Sequence, residues 1–157
     1  MPANEPSILV MGIGNYLMGD EGVGVHLAQL LEKENLLPKG VDVLDGGTGG
    51  FHLLGYFEKY DVVILIDATL DNDYEPGTIR LLKPFFSSDF PRALSTHDIG
   101  LKDVVETLIL LNQMPEIYLF AVCINSVQHQ RTTLSAAVEK AIPDLVRQIY
   151  GLIATLK

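Results

Sequence analysis

The sequence predicts a single three-layer α/β/α domain spanning residues 1–157, with a mostly parallel, twisted sheet of about five strands and helices on both faces. Three observations lead there. Runs rich in Val, Ile and Leu alternate with stretches of helical periodicity, the pattern of strands joined by helical crossovers. The segment Val62–Ile66 is five apolar residues without a break, as expected of a strand covered by helices on both sides. The chain has 157 residues, 48% of them hydrophobic, enough to bury about 68–70% of its unfolded surface without a disulfide or metal staple.

Taken in order, Ser7–Gly12 reads as a buried strand, and Gly24, Leu27, Ala28 and Leu31 then recur at helical spacing. Val41–Asp45 is the second strand. A glycine cluster and a short helix around Phe51–Lys59 come after it. Val62–Ala68 is the clearest strand. Thr78–Lys83 lies after the turn signal Glu75-Pro76-Gly77 and suits an antiparallel edge. Residues 84–99 carry Pro84 and Pro91 and read as an ordered loop. Leu101, Val104, Val105, Leu108 and Leu111 mark a helix, and Ile117–Val122 is the last strand. A long C-terminal helix carries Val138, Ile142, Leu145, Val146, Ile149 and Ile153 on one stripe, and Pro143 is expected to kink or split it. Ligands of such sheets gather at the carboxyl ends of the strands.

Composition narrows the function classes. The net charge of −9 repels nucleic acid and anionic lipid. The longest apolar runs are too short to span a bilayer, and the first residues lack the pattern of a secretory leader. A single cysteine, Cys123, excludes an intrachain disulfide and any zinc site built on several cysteines. These features fit a cytoplasmic protein.

The first strand exits into Gly12-Ile13-Gly14-Asn15-Tyr16-Leu17-Met18-Gly19-Asp20-Glu21-Gly22-Val23-Gly24. A dinucleotide loop would need glycine where Leu17 stands. Asp20 and Glu21 also fill the helix start that a phosphate would use. Two acids there have a structural explanation, since they complement the helix macrodipole. Their company suggests more. Asp67 is expected at the carboxyl end of the Val62–Ala68 strand, and His97, within Ser95-Thr96-His97-Asp98, precedes a helix and can reach the same rim. Glu21, Asp67 and His97 thus form a two-carboxylate, one-imidazole donor set suited to a divalent transition metal, with positions left open for substrate or water. Asp45-Gly46-Gly47-Thr48-Gly49-Gly50 admits two readings, a tight strand-to-helix turn or a wall that contacts a substrate backbone. Cys123 reads as a core residue, and His26 and His52 as helix decoration. Ser126 and His129 lie close together, but three residues' separation in a loop does not make a dyad, and neither G-x-S-x-G nor H-E-x-x-H is present.

The segment ILVMGIGNYLMGDEGVG resembles the G-x-G-N-x-L-x-x-D-E-G-x-G block of the nickel-iron hydrogenase maturation endopeptidases, and DGGTGGFHLLG resembles their D-G-G-T-x-G-x-x-L-L block. VVILIDA, PGTIRLL and STHDIGLKDVV match further blocks in order, so the likeness covers nearly the whole chain. The resemblance implies a protease that recognises nickel already bound in the precursor of a hydrogenase large subunit and removes a C-terminal extension. It would hold no permanent cofactor, because the substrate brings the metal. The family's metal-contacting positions fall on Glu21, Asp67 and His97. The metal would polarise the scissile carbonyl or activate a water, with Asp20 either a general base or only a helix-start acid. Asp45, Gly46, Gly47 and Thr48 would contact substrate. One departure stands out. The family's G-[IV]-x-P segment after the last strand is replaced by Ala121-Val122-Cys123-Ile124-Asn125-Ser126, expected on a loop facing the substrate. Two other classes remain open on the residues alone: a non-catalytic nickel-precursor adaptor, and a nucleotide- or flavin-binding module.

Overall fold

A computed structural model describes residues 5–91 and 101–157. Five strands form one sheet: β1 (Ile8–Gly12), β2 (Val41–Asp45), β3 (Val62–Leu70), β4 (Ile79–Leu82) and β5 (Glu116–Ile124). Their order is β2-β1-β3-β5-β4, parallel throughout except for the edge strand β4, which runs antiparallel to β5. The helices are α1 (Val23–Lys33), α2 (Leu54–Lys59), α3 (Leu101–Leu110) and α4 (Ala136–Leu156), with a 3-10 turn, Gly19–Gly22, leading into α1.

The two-residue period of a strand sorts the core into two layers. On one face, Ile8, Val10, Val62, Ile64 and Ile66 pack with Val23, Leu27 and Leu31 of α1 and with Val138, Leu145, Ile149 and Ile153 of α4. On the other, Leu9, Met11, Val63 and Leu65 pack with Phe57 of α2 and with Leu101, Val104, Val105 and Leu108 of α3. Both faces of β1 and β3 are therefore dry, which explains why these strands read as continuous apolar runs. Among the described residues no helix is long and apolar enough to cross a membrane.

Three expectations need correction. First, β3 does not stop near Asp67 but continues through Ala68, Thr69 and Leu70, because β5 extends to match it, with Asp67 opposite Ala121 and Leu70 opposite Ile124. Second, Ala121–Ile124 is accordingly buried strand rather than loop, and the loop starts at Asn125. Third, Pro143 does not split α4, which is one helix of 21 residues. Proline removes the N–H that would reach the Glu139 carbonyl and costs about 3 kcal/mol in a helix interior. Val138 before it and Leu145, Ile149 and Ile153 after it are all fully buried against the same sheet face. That burial, about 1.5–3 kcal/mol for each side chain, outweighs the defect. Of the expected loop at 84–99, residues 84–91 include a 3-10 turn at Ser87–Asp89, and residues 92–99 lie outside the described residues.

Pro143 is itself exposed, so it can be replaced without opening an enclosed cavity. Pro143→Ala is expected to raise stability by about 1–3 kcal/mol, the restored hydrogen bond being partly offset by the freer unfolded chain. Urea denaturation of the two proteins measures the difference.

Candidate active site

The carboxyl edge of the sheet is stepped. β1 ends at Gly12, opposite Ile66 of β3, while β3 runs on. Asp67 is the first residue of β3 beyond the end of β1, and alternation places it on the face that carries Val63 and Leu65, toward α2 and α3. It is completely buried, and its Oδ1 accepts from the Ala68 N–H at 2.8 Å.

Glu21 and Asp20 reach the same edge from β1. After Gly12 the chain turns through residues 13–18 into the 3-10 turn Gly19–Gly22, which contacts β3. Close backbone approach makes this possible. A Cβ on Gly24 would run into the carbonyl oxygens of Ile66 and Ile13, and one on Gly12 into the carbonyl of Gly24. Two glycines therefore let the start of α1 sit directly on the ends of β1 and β3. Glu21 is 6% exposed and Asp20 4%. An acid at a helix start that only answers the macrodipole normally stays in water, so this degree of burial calls for further reasons.

Asp20 supplies one. Its Oδ1 accepts from the N–H of Ser135 at 2.7 Å, and Ser135 is the N-cap of α4, whose side chain accepts from the Val138 N–H. The backbone N–H of Asp20 donates to Gln128 Oε1 at 2.9 Å. Beside it, Met18 bridges to Arg131, with Arg131 N donating to Leu17 O and Gly19 N to Arg131 O. The segment after β5 thus backs the loop after β1 along its length. Nothing in sequence spacing signals these contacts, since more than 100 residues separate Asp20 from Gln128 and Ser135.

The glycine cluster after β2 is a stitched turn. Asp45 Oδ1 accepts from Gly47 N at 2.9 Å, and its Oδ2 accepts from Gln29 at 3.1 Å. Gly46 N donates to Gly12 O at 2.8 Å, and Gly14 N donates to Gly47 O at 2.7 Å. The segment is a tight turn, and Thr48 lies exposed at its tip. These bonds also bear on the nucleotide alternative. The amides of Ile13 and Gly14 are spent on Ile66 O and Gly47 O, where a phosphate loop would present them to its ligand.

His97 lies outside the described residues, and among the described residues no three His, Cys, Asp or Glu side chains form a group able to hold a metal. The other candidates have structural roles of their own. Cys123 is fully buried in β5, and burial pushes its thiol up, which disfavours the thiolate a nucleophile needs. Ser126 Oγ accepts from Gln128 Nε2 at 2.9 Å. His26 does more than decorate α1. Its ring stacks on Tyr16 at 4.8 Å, and burial holds its imidazole below the ordinary value, against the raising effects of a backbone hydrogen bond with Thr132 and of the Asp20 and Glu139 charges.

Against known proteins, a family model described as hydrogenase maturation protease matches residues 25–152. Hydrogenase 2 maturation protease of Escherichia coli (strain K12) is 34% identical over 145 residues, 92% of this chain and 88% of that protein. Hydrogenase expression/formation protein HupD of Rhodobacter capsulatus is 37% identical over 121 residues, 73% of this chain and 56% of the relative, so the match spans little more than half of that protein. Among solved structures, the hydrogenase maturating endopeptidase HybD from E. coli superposes with a TM-score of 0.82 at 33% identity, covering 94% of this chain and 92% of that one. The [NiFe] hydrogenase maturation protease HycI from Thermococcus kodakarensis KOD1 superposes with a TM-score of 0.74 at 25% identity, covering 97% and 95%.

The close approach of α1 to the strand ends generates a stability prediction. Gly24→Ala forces a Cβ against two backbone carbonyls and is expected to cost about 3 kcal/mol or more. Gly55→Ala in α2 meets nothing within 4 Å and is expected to be neutral or to add up to about 1 kcal/mol. Thermal melts of the two variants test the contrast.

Proposed function

This chain belongs to the hydrogenase maturation protease family, and we propose that it cuts a C-terminal extension from the precursor of a nickel-iron hydrogenase large subunit once nickel is in place. The observation that carries the reading is the pair of buried carboxylates, Glu21 and Asp67, on two elements in contact at the carboxyl edge of the sheet. Oxygen donors in a water-poor position suit a divalent metal better than they suit a solvated surface.

In this reading the nickel is part of the substrate. Glu21 and Asp67 offer it oxygen, and His97 offers nitrogen. His97 precedes Leu101, the first residue of α3, by four positions, and Leu101 packs in the same layer as Leu65 of β3. α3 therefore starts on the face of the sheet to which Asp67 belongs. Three protein ligands leave positions open, and in this reading the precursor's own ligands fill them. The metal then polarises the scissile carbonyl or a water. Water adds across the peptide bond, the C–N bond breaks, and the new amine takes a proton.

Asp20 is better placed for holding than for proton transfer, since its Oδ1 already accepts from the α4 N-cap. The turn at Asp45–Thr48, exposed at Asp45 and Thr48 and pinned to Gly12 and Gly14, is suited to guide the extended peptide past the carboxylates. The buried, weakly acidic Cys123 is a poor nucleophile, which supports a metal-assisted route. The lone cysteine also fits a reducing compartment, and we assign the reaction to the cytoplasm.

A cell-free assay with nickel-free and nickel-loaded precursor tests the proposal, with mass loss at the precursor's C-terminus as readout. Wild type is expected to cut only the loaded form. Asp67→Asn keeps a carbonyl oxygen to accept from the Ala68 N–H but loses the anionic ligand. It is expected to fold normally and to lose at least about 100-fold in processing rate. Equal cleavage of both precursors, or full activity of Asp67→Asn, refutes the nickel-reading site. Binding of loaded precursor without any mass loss would make the protein an adaptor.

A further inference from the structure

We propose that Gln128 is a positioning residue that sets where Glu21 points, acting through the 3-10 turn that carries it. The inference rests on the reading of Glu21 as a ligand to the substrate's metal.

The side chain of Gln128 is held at both ends. Its Oε1 accepts from the backbone N–H of Asp20 at 2.9 Å, and its Nε2 donates to Ser126 Oγ at 2.9 Å and to Ser126 O at 3.3 Å. It also fills the space over Gly19. That glycine has φ +59°, and a Cβ there would collide with Gln128 Oε1 and crowd its Cβ. The left-handed backbone of Gly19 and the amide of Gln128 therefore fit as a pair. Glycine turns the backbone so that the Asp20 N–H faces outward from the turn, and Gln128 accepts it.

The contact matters because Asp20 leads directly into a proposed metal ligand. Glu21 is the next residue in the chain, inside the same four-residue turn. A 3-10 turn this short has poor internal hydrogen bonding and is easily deformed. Fixing the Asp20 peptide fixes the start of the bond sequence leading to the Glu21 side chain. A carboxylate must sit within about half an ångström of its productive position to bind a metal well. Ser135 holds the Asp20 carboxylate. Gln128 and Ser135 thus grip Asp20 by its backbone and its side chain, and that grip orients Glu21.

Two substitutions separate the hydrogen bond from simple packing. Gln128→Met keeps the volume over Gly19 and removes the acceptor. Gln128→Glu keeps an acceptor for the Asp20 N–H and gives up the donor to Ser126. We measure kcat and KM on nickel-loaded precursor, the melting midpoint and the far-UV spectrum, with Asp67→Asn alongside. The expected result is about a ten-fold loss of kcat in Gln128→Met with a rise in KM, since Glu21 binds the substrate's metal, and a melting midpoint within a few degrees of wild type. Gln128→Glu is expected to stay within about three-fold of wild type in kcat. Wild-type kcat in Gln128→Met, or equal losses in the two variants, overturns the proposal. A loss of turnover in Gln128→Met that is matched by a loss of folded signal also overturns it and makes Gln128 a structural residue. If Asp67→Asn remains active, the metal-reading site itself fails. If Asp67→Asn is dead while Gln128→Met is unimpaired, only the positioning role fails.

Discussion

The architecture of the site depends on how closely one helix can approach the ends of two strands. α1 starts with Gly24 seated on the carbonyl oxygens of Ile13 and Ile66, a contact with no room for a side chain. That seat draws the preceding turn down onto the sheet edge and sinks Asp20 and Glu21 among backbone and apolar groups. The step between β1 and β3 then leaves Asp67 at the level where the turn arrives. A helix displaced outward by even a methyl group would carry Glu21 away from β3 and return both acids to water.

Buried carboxylates are expensive. Each costs several kcal/mol unless hydrogen bonds or counter-charges answer it. The fold answers Asp20 with an N–H group at the start of a helix, a source of positive potential as well as of a donor. It draws that helix start from the far end of the chain. Asp67 takes a donor from its own neighbour, Ala68. Sites that break the rule of keeping charge outside tend to be those with chemistry to perform.

The parallel core is legible because it is local in sequence. The dry strand Val62–Ile66, the stripe of α4 and the turn before β4 each announce themselves within a few residues. Asp67 stands out at the end of an apolar run, yet its strand continues past it, because the length of β3 is set by β5, some 50 residues downstream. Pro143 has a local cost that argues for a break, whereas the sheet face beneath α4 decides the outcome. Gln128 and Ser135 give no signal, since an amide in a polar loop and a serine before a helix carry no local mark of a partner near residue 20. His97, identified by its company in sequence, lies outside the described residues. The resemblance of the glycine-rich and acidic blocks speaks to the family, and the structure adds why those glycines sit beside those acids.

The bond from Ser135 to Asp20 spans 115 positions in the chain. It joins the loop after β1 to the start of α4, so the whole stretch between them must be made before the two can meet. Until then the Asp20 carboxylate lacks this donor, although the turn that carries it already lies against β3. Long-range closures of this kind are late events in folding, because the entropy of the intervening chain must be lost before the contact returns anything. An acidic turn secured this way gains its final donor late in folding.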